Sequence, residues 1–255
     1  MTNVVSVTAS GTINTKGAWA ELIAATSLES FGFWLSYSDV FITATNTSML
    51  VDIGIGAAGS EVVIVPDINC AGAERGLGKQ TFWPLFVPAG VHIAARTQAV
   101  IASDTVNVRI FLLQSPQTFD PYIFNTCTAY GVDATNSRGT SYTPHATAFT
   151  KGSWAQVSAS SSRDHRAWQV IVDPLGSTAL TGAALYVDIG AGAAASEQVV
   201  SPDSYFVSSV QEIVDGPVVP VPAYCPVASG TRIAVRGSAS GASMSALGAI
   251  VYAFD

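Results

Sequence analysis

Val51-Asp52-Ile53-Gly54-Ile55-Gly56-Ala57-Ala58-Gly59-Ser60-Glu61 returns 136 positions later as Val187-Asp188-Ile189-Gly190-Ala191-Gly192-Ala193-Ala194-Ala195-Ser196-Glu197. The flanks return with it. Pro66-Asp67 matches Pro202-Asp203 at the same spacing, Thr15-Lys16-Gly17-Ala18-Trp19-Ala20 matches Thr150-Lys151-Gly152-Ser153-Trp154-Ala155 at 135, and Trp34 matches Trp168 at 134. Gly90-Val91-His92-Ile93-Ala94-Ala95-Arg96 matches Gly230-Thr231-Arg232-Ile233-Ala234-Val235-Arg236 at 140. The matches keep one order while the spacing drifts by only six, so the chain is an internal duplication, the reading that decides every later one. Each copy has the size of an ordinary domain. The expected division is a first domain over residues 1–115, an ordered connecting arm over 116–144 and a second domain over 145–255.

Within each copy the local pattern is β. Ala18–Ala25, Phe31–Tyr37, Met49–Ile53, Glu61–Val65, Phe82–Val87, Val91–Gln98 and Val106–Leu113 are short, β-branched or aromatic, and separated by Gly, Pro, Asn, Asp and Ser. No long window keeps a helical period. Seven or eight strands per copy predict an all-β chain of two tandem antiparallel β-sandwiches, jelly-roll-like rather than immunoglobulin-like by strand count. Alternation along Val91–Gln98 predicts Ile93 and Ala95 inward, with His92, Ala94 and Arg96 outward.

Gly54 to Gly59 has the GxGxxG spacing of a dinucleotide loop, and Gly190 to Ala195 the related GxGxxA. That chemistry needs a helix to open at the third small residue, so that its first amides hold pyrophosphate. Ser60 to Pro66 and Ser196 to Pro202 instead are strand-like runs ending at proline, so a hairpin is predicted and no cofactor is expected. Gly54, Gly56, Gly190 and Gly192 then serve positive φ or the close approach of a neighbour, and are candidate interface positions.

Asp52 with Arg96, and Asp188 with Arg236, fall on adjacent strand segments facing away from the core, and are expected to form carboxylate–guanidinium pairs that fix register. A calcium site on Asp52 and Asp67 lacks the close oxygen-rich loop a hard cation needs, so no metal is expected. Trp19 and Trp154, and Trp34 and Trp168, recur and read as paired core residues; Trp83 has no counterpart and is the better candidate for an interface or ligand contact. The three histidines, His92, His145 and His165, are not shared between copies and lack any signature of hydrolytic or metal chemistry, so no catalytic residue is expected.

Of 255 residues, 49% are hydrophobic and only 11% charged, against about a quarter in average proteins. A surface this poor in charge suits packing against other subunits. The net charge of −7 is spread over both halves and offers no basic stripe, so neither nucleic acid nor anionic lipid is expected as a partner. Apolar runs such as Met49–Val65 are interrupted by Asp52, Glu61 and glycines, so no membrane span is expected. Three widely separated cysteines, Cys70, Cys127 and Cys225, argue for free thiols, and Met1–Ser10 has no leader pattern, so assembly in a cytoplasm is expected.

VDIGIGAAGSEVVIVPDI followed by PAGVHIAAR (Pro88–Arg96), and VDIGAGAAASEQVVSPDS followed by SGTRIAVR (Ser229–Arg236), resemble small β-domain structural proteins of tailed bacteriophage virions: head decoration, fibre or tail proteins. The resemblance implies a virion protein that is not an enzyme and associates with itself and with other virion proteins. Its expected role is decorating and stabilising a capsid, with three chains presenting six similar domains around one axis. The alternative is a host-surface glycan-binding module with exposed aromatics as stacking platforms.

Overall fold

The computed structural model describes residues 4–39, 48–70, 79–113, 123–173, 175, 183–208, 213–215, 222–242 and 244–255. The first body contains β1 (Val5–Thr8), β2 (Ala20–Ile23), β3 (Phe33–Asp39), β4 (Met49–Gly56), β5 (Val62–Asn69), β6 (Lys79–Trp83), β7 (His92–Ala99) and β8 (Thr105–Leu112). They form two antiparallel sheets, β1-β8-β3-β6 and β2-β7-β4-β5. The second body contains β9 (Cys127–Tyr130), β10 (Val132–Asp133), β11 (Arg138–Tyr142), β12 (Ala155–Ser158), β13 (His165–Asp173), β14 (Ala183–Ala191), β15 (Gln198–Ser208), β16 (Ile213–Asp215), β17 (Ala223–Val227), β18 (Ile233–Ala239) and β19 (Leu247–Phe254). Its sheets run β11-β19-β13-β17 and β12-β18-β14-β15-β16. With β11 in the place of β1 and β19 in that of β8, the two orders coincide. Both bodies are eight-strand jelly rolls, the second with three extra strands.

Period-2 patterning explains the layers. Along β8, Val106, Val108 and Ile110 are buried while Thr105, Asn107 and Arg109 are only partly covered. The last strand of the second roll is buried along its whole length, because one face meets its own core and the other meets the first roll. That second face carries Ile250, Tyr252 and Phe254 into the core of the first body, joined there by Ala167 and Ile171 of β13. The outer face of the second roll's β11-β19-β13 sheet is therefore packed on the β5–β6 edge of the first roll.

Three expectations change. The segment 116–144 is not a connector where it is described: β9 and β11 lie end to end along β19, pairing Tyr130 with Val251 and Thr140 with Ala249, so the second roll's sheet already includes Cys127. Residues 116–122 lie outside the described residues. Trp34 and Trp168 are not equivalent. Phe33, Leu35 and Tyr37 face the first core, whereas Trp168, Val170 and Val172 face the second, so Trp168 corresponds to Phe33 and Trp34 to Gln169. Trp34 points out of the sheet, where it tilts against Phe82 at 5.2 Å. Finally, Ala94 and His92, expected to face outward, are buried: Trp19 lies against Gly54, which pairs with Ala94, and Glu21 and Glu61 flank the His92 ring.

Candidate functional site

Each roll carries the same polar cluster on the outer face of its β2- or β12-containing sheet. Asp52 lies opposite Arg96 in the β4–β7 register, and Arg96 Nε donates to Asp52 Oδ2 at 2.8 Å. Lys16 Nζ donates to Asp52 Oδ1 at 2.7 Å and to the Leu50 carbonyl at 3.1 Å, while its ammonium also meets Asp67 at 2.8 Å. The Asp67 amide donates to the same Asp52 oxygen at 2.9 Å. The second roll repeats every bond: Arg236 Nε to Asp188 at 2.9 Å, Lys151 Nζ to Asp188 and Asp203 at 2.7 Å each, and the Asp203 amide to Asp188 at 3.0 Å. Asp67 and Asp203 take φ of 50° and 49°, at the irregularity of register between β4 and β5 and between β14 and β15. This positive φ turns their amides toward the carboxylate.

Burial alone would raise the Asp188 carboxyl, but the Asp203 amide, Lys151 and Arg236 outweigh it and hold the group below the usual carboxylate range. Asp52 and Asp188 are buried, so these are not the exposed register pairs the alternation suggested. Sequence reasoning gave Lys16 and Lys151 no role, although both lie in the repeated Thr-Lys-Gly run and so carried the signal.

The glycines belong to the same construction. Arg96 lies over the Trp19 ring at 4.6 Å and Arg236 over Trp154 at 4.4 Å. A Cβ on Gly54 would come within 2.7 Å of the Trp19 ring, and one on Gly190 within 2.6 Å of Trp154. Gly54 and Gly190 are thus bare so that an indole can lie flat on the sheet, and Gly56 and Gly192 supply φ of 135° and 123° for the turn out of the strand. For Gly54 and Gly190 the close neighbour is the chain's own tryptophan rather than another subunit, whereas Gly56 and Gly192 have the positive φ that is the other expected reason for glycine. A strand follows each cluster, as β5 and β15 show.

Next to this clamp the copies diverge. Glu61 and Glu197 have side chains only 2% and 1% exposed. Arg232 grips Glu197 and also donates to Gln156 at 2.8 Å. In the first roll that position is His92, whose ring nitrogens sit 3.4 Å from Glu21 and 3.4 Å from Glu61.

Trp83 is fully buried at the seam between the rolls, edge-on to Tyr252 at 5.0 Å, with Phe254 behind it at 6.1 Å. Its contact lies within the chain, between the two rolls, where an interface with a partner or a ligand contact was expected. The Tyr252 hydroxyl bridges the Asp67 carbonyl and the Asn69 amide, and the Asn69 side chain donates to Asp173 of the second roll. Burial pushes the Asp173 carboxyl up, partly offset by the amides of Gly139 and Leu175 and by Asn69. A further buried group, His165, has its Nε2 2.7 Å from the Tyr130 hydroxyl and its Nδ1 3.6 Å from Asp255. Burial lowers its imidazole below the ordinary histidine range, against the opposing pull of Asp255. Asp52 and Asp188 thus face cations and amides, an arrangement that ties a covering segment onto the sheet of each roll.

No known protein family and no curated protein matches the sequence. Among solved structures, it is similar to PNGF-II, with a TM-score of 0.35 and 8% identity over 99% of this chain and 65% of that one. It is also similar to a peptide-N(4)-(N-acetyl-beta-D-glucosaminyl) asparagine amidase, with a TM-score of 0.32 and 9% identity over 99% and 96% of the two chains. A third is PNGase F, a glycosylasparaginase from Flavobacterium meningosepticum, with a TM-score of 0.29 and 11% identity over the same shares. The chain spans less than two thirds of the length of PNGF-II. This finding corrects the expectation of a protein without enzymatic activity, since amidase names stand among its structural neighbours. At these identities and TM-scores the likeness assigns no amidase chemistry to the chain.

Proposed function

We propose that the chain is a structural protein of a bacteriophage particle, one that associates with copies of itself and with other virion proteins to decorate and stabilise the capsid. The observation that carries the reading is the seam: two jelly rolls of one strand order share a buried aromatic contact. One chain therefore offers a lattice two similar units in a fixed relation. A chain with only 11% charged residues fits burial against protein neighbours, and the virion resemblance of the glycine-hairpin motifs supports the setting. Three chains around one axis would present six rolls, a match to local six-fold positions of a shell.

The glycan-binding alternative loses its principal residue, because Trp83 is fully buried. The test is to purify the particle from its native source and determine the copy number and position of this chain, alongside its mass in solution. A chain that is monomeric and missing from purified particles overturns the proposal.

A further inference from the structure

The registers of the two rolls give an equivalence that the sequence matches did not. Trp34 pairs with Phe111 and Ser36 with Arg109 in the first roll; Gln169 pairs with Tyr252 and Ile171 with Ile250 in the second. Since Trp34 corresponds to Gln169, Phe111 stands where Tyr252 stands and Arg109 where Ile250 stands. In the second roll this outer face is buried on the β5–β6 edge of the first. In the first roll the same face is open: Phe111 is 42% exposed, Trp34 and Phe82 are half-buried and stacked against each other, and Arg109 lies 5.8 Å over the Phe111 ring.

The receiving edge also recurs. Asp67 corresponds to Asp203 and, through the pairs Leu50–Asn69 and Tyr186–Tyr205, Asn69 corresponds to Tyr205. Asp67, beside the seam, has a side chain 26% exposed; Asp203 is 63% exposed. Tyr224, next to the position equivalent to Trp83, is 54% exposed. One chain thus buries one donor face and one receiving edge against each other; its second donor face is open, and so is the part of its second receiving edge around Asp203, while β16 pairs with Phe206–Ser208 farther along β15.

We infer that the outer face of the first roll, centred on Phe111, docks on the β15–β17 edge of the second roll in another copy of this chain, repeating between chains the contact that joins the rolls within one. The occupant is a second copy because Asp203 and Tyr205 stand where Asp67 and Asn69 already take this face. Charge is compatible, since Arg109 replaces Ile250 on the donor face and the receiving edge carries the Asp203 carboxylate, 63% exposed although paired with Lys151 at 2.7 Å. The contact is head-to-tail, so it builds a closed ring or an open row rather than a two-fold dimer. Phe111 lacks the hydroxyl with which Tyr252 bridges residues 67 and 69, so the contact between chains is weaker than the seam within one. The inference deepens the self-association in the proposed function and rests on it.

The experiment is native mass spectrometry and light scattering on the full chain, with melting curves to confirm folding. Phe111→Asp is expected to weaken association by at least about tenfold with an unchanged melting temperature, and Phe111→Tyr to strengthen it roughly fivefold by restoring the bridging hydroxyl. In mixtures under oxidation, chains carrying Phe111→Cys are expected to link to chains carrying Tyr205→Cys and not to themselves. If the wild-type chain associates but Phe111→Asp has no effect, or chains with Phe111→Cys link only to one another, the docking inference is overturned and self-association stands. If the wild-type chain stays monomeric up to about 100 µM, far above a micromolar dissociation constant, self-association fails and the docking inference with it.

Discussion

The hydroxyl of Tyr252, on the last strand of the second roll, donates to the Asp67 carbonyl of the first at 2.8 Å, and accepts from the Asn69 amide at 3.0 Å. Its ring meanwhile stands edge-on to Trp83. One side chain thus satisfies two backbone groups at an irregularity of β5 and fills the space beside an indole. Tyr252→Phe keeps the ring and strips both bonds, so it should cost about 1–3 kcal/mol. Tyr252→Ala adds a cavity and should cost about 3–5 kcal/mol. Urea unfolding followed by tryptophan fluorescence measures both, and equal losses would show that the hydroxyl rather than the ring holds the seam.

Gly54 and Gly190 each lie beneath an indole. Alanine at either position places a Cβ inside the ring's contact distance and must lift the tryptophan from its sheet and from its arginine. The expected loss is about 1–3 kcal/mol. Gly59 has open space around its missing Cβ and only a φ of 82° to maintain, so Gly59→Ala should cost about 1 kcal/mol. Thermal melts of the three variants rank them; a Gly54 variant as stable as wild type would remove the role given to Trp19.

Arg232 and His92 occupy one position in the two rolls but hold their buried glutamates differently. Arg232→Ala removes the guanidinium that holds the Glu197 carboxylate and is expected to lower stability more than the matching change in the first roll. His92→Ala should cost less, because the His92 ring nitrogens stand 3.4 Å from Glu21 and Glu61, farther than the Arg232 guanidinium stands from Glu197. Chemical denaturation of both variants at one pH checks the order.

His165 provides a pH test. Its folded-state imidazole titrates below the ordinary value of about 6.5, so between these values the unfolded chain binds a proton that the folded chain does not. Its contribution is complete above about pH 6.5 and is lost as pH falls from there through the depressed folded value. Asp255, Asp164 and Arg163 set the local field and Tyr130 supplies the hydroxyl at Nε2. His165→Gln should flatten the stability profile in that window, as followed by denaturation at stepped pH. A profile of unchanged slope would assign the acid sensitivity to other groups.

Much of the fold was legible because a repeat is self-announcing. The strand-like runs after both glycine clusters and the 136-residue spacing are enough for two all-β rolls, and the Asp52–Arg96 pairing follows from alternation on neighbouring strands. The partners of Asp52 beyond Arg96 were not legible. Lys16 reaches it across 36 positions, by a path that depends on how the covering segment crosses the sheet.

By itself, the sequence determined the duplication, the strand period and the hairpin at each glycine cluster, because these rest on local spacing and on which residues tolerate positive φ. Tertiary structure alone decided which side of β3 and β13 the tryptophans face, since a one-residue slip exchanges the two faces of a strand and leaves the motif intact. It alone decided, too, that Trp83 and Tyr252 meet, because packing between rolls depends on the shapes of two assembled surfaces, which no run of neighbouring residues encodes.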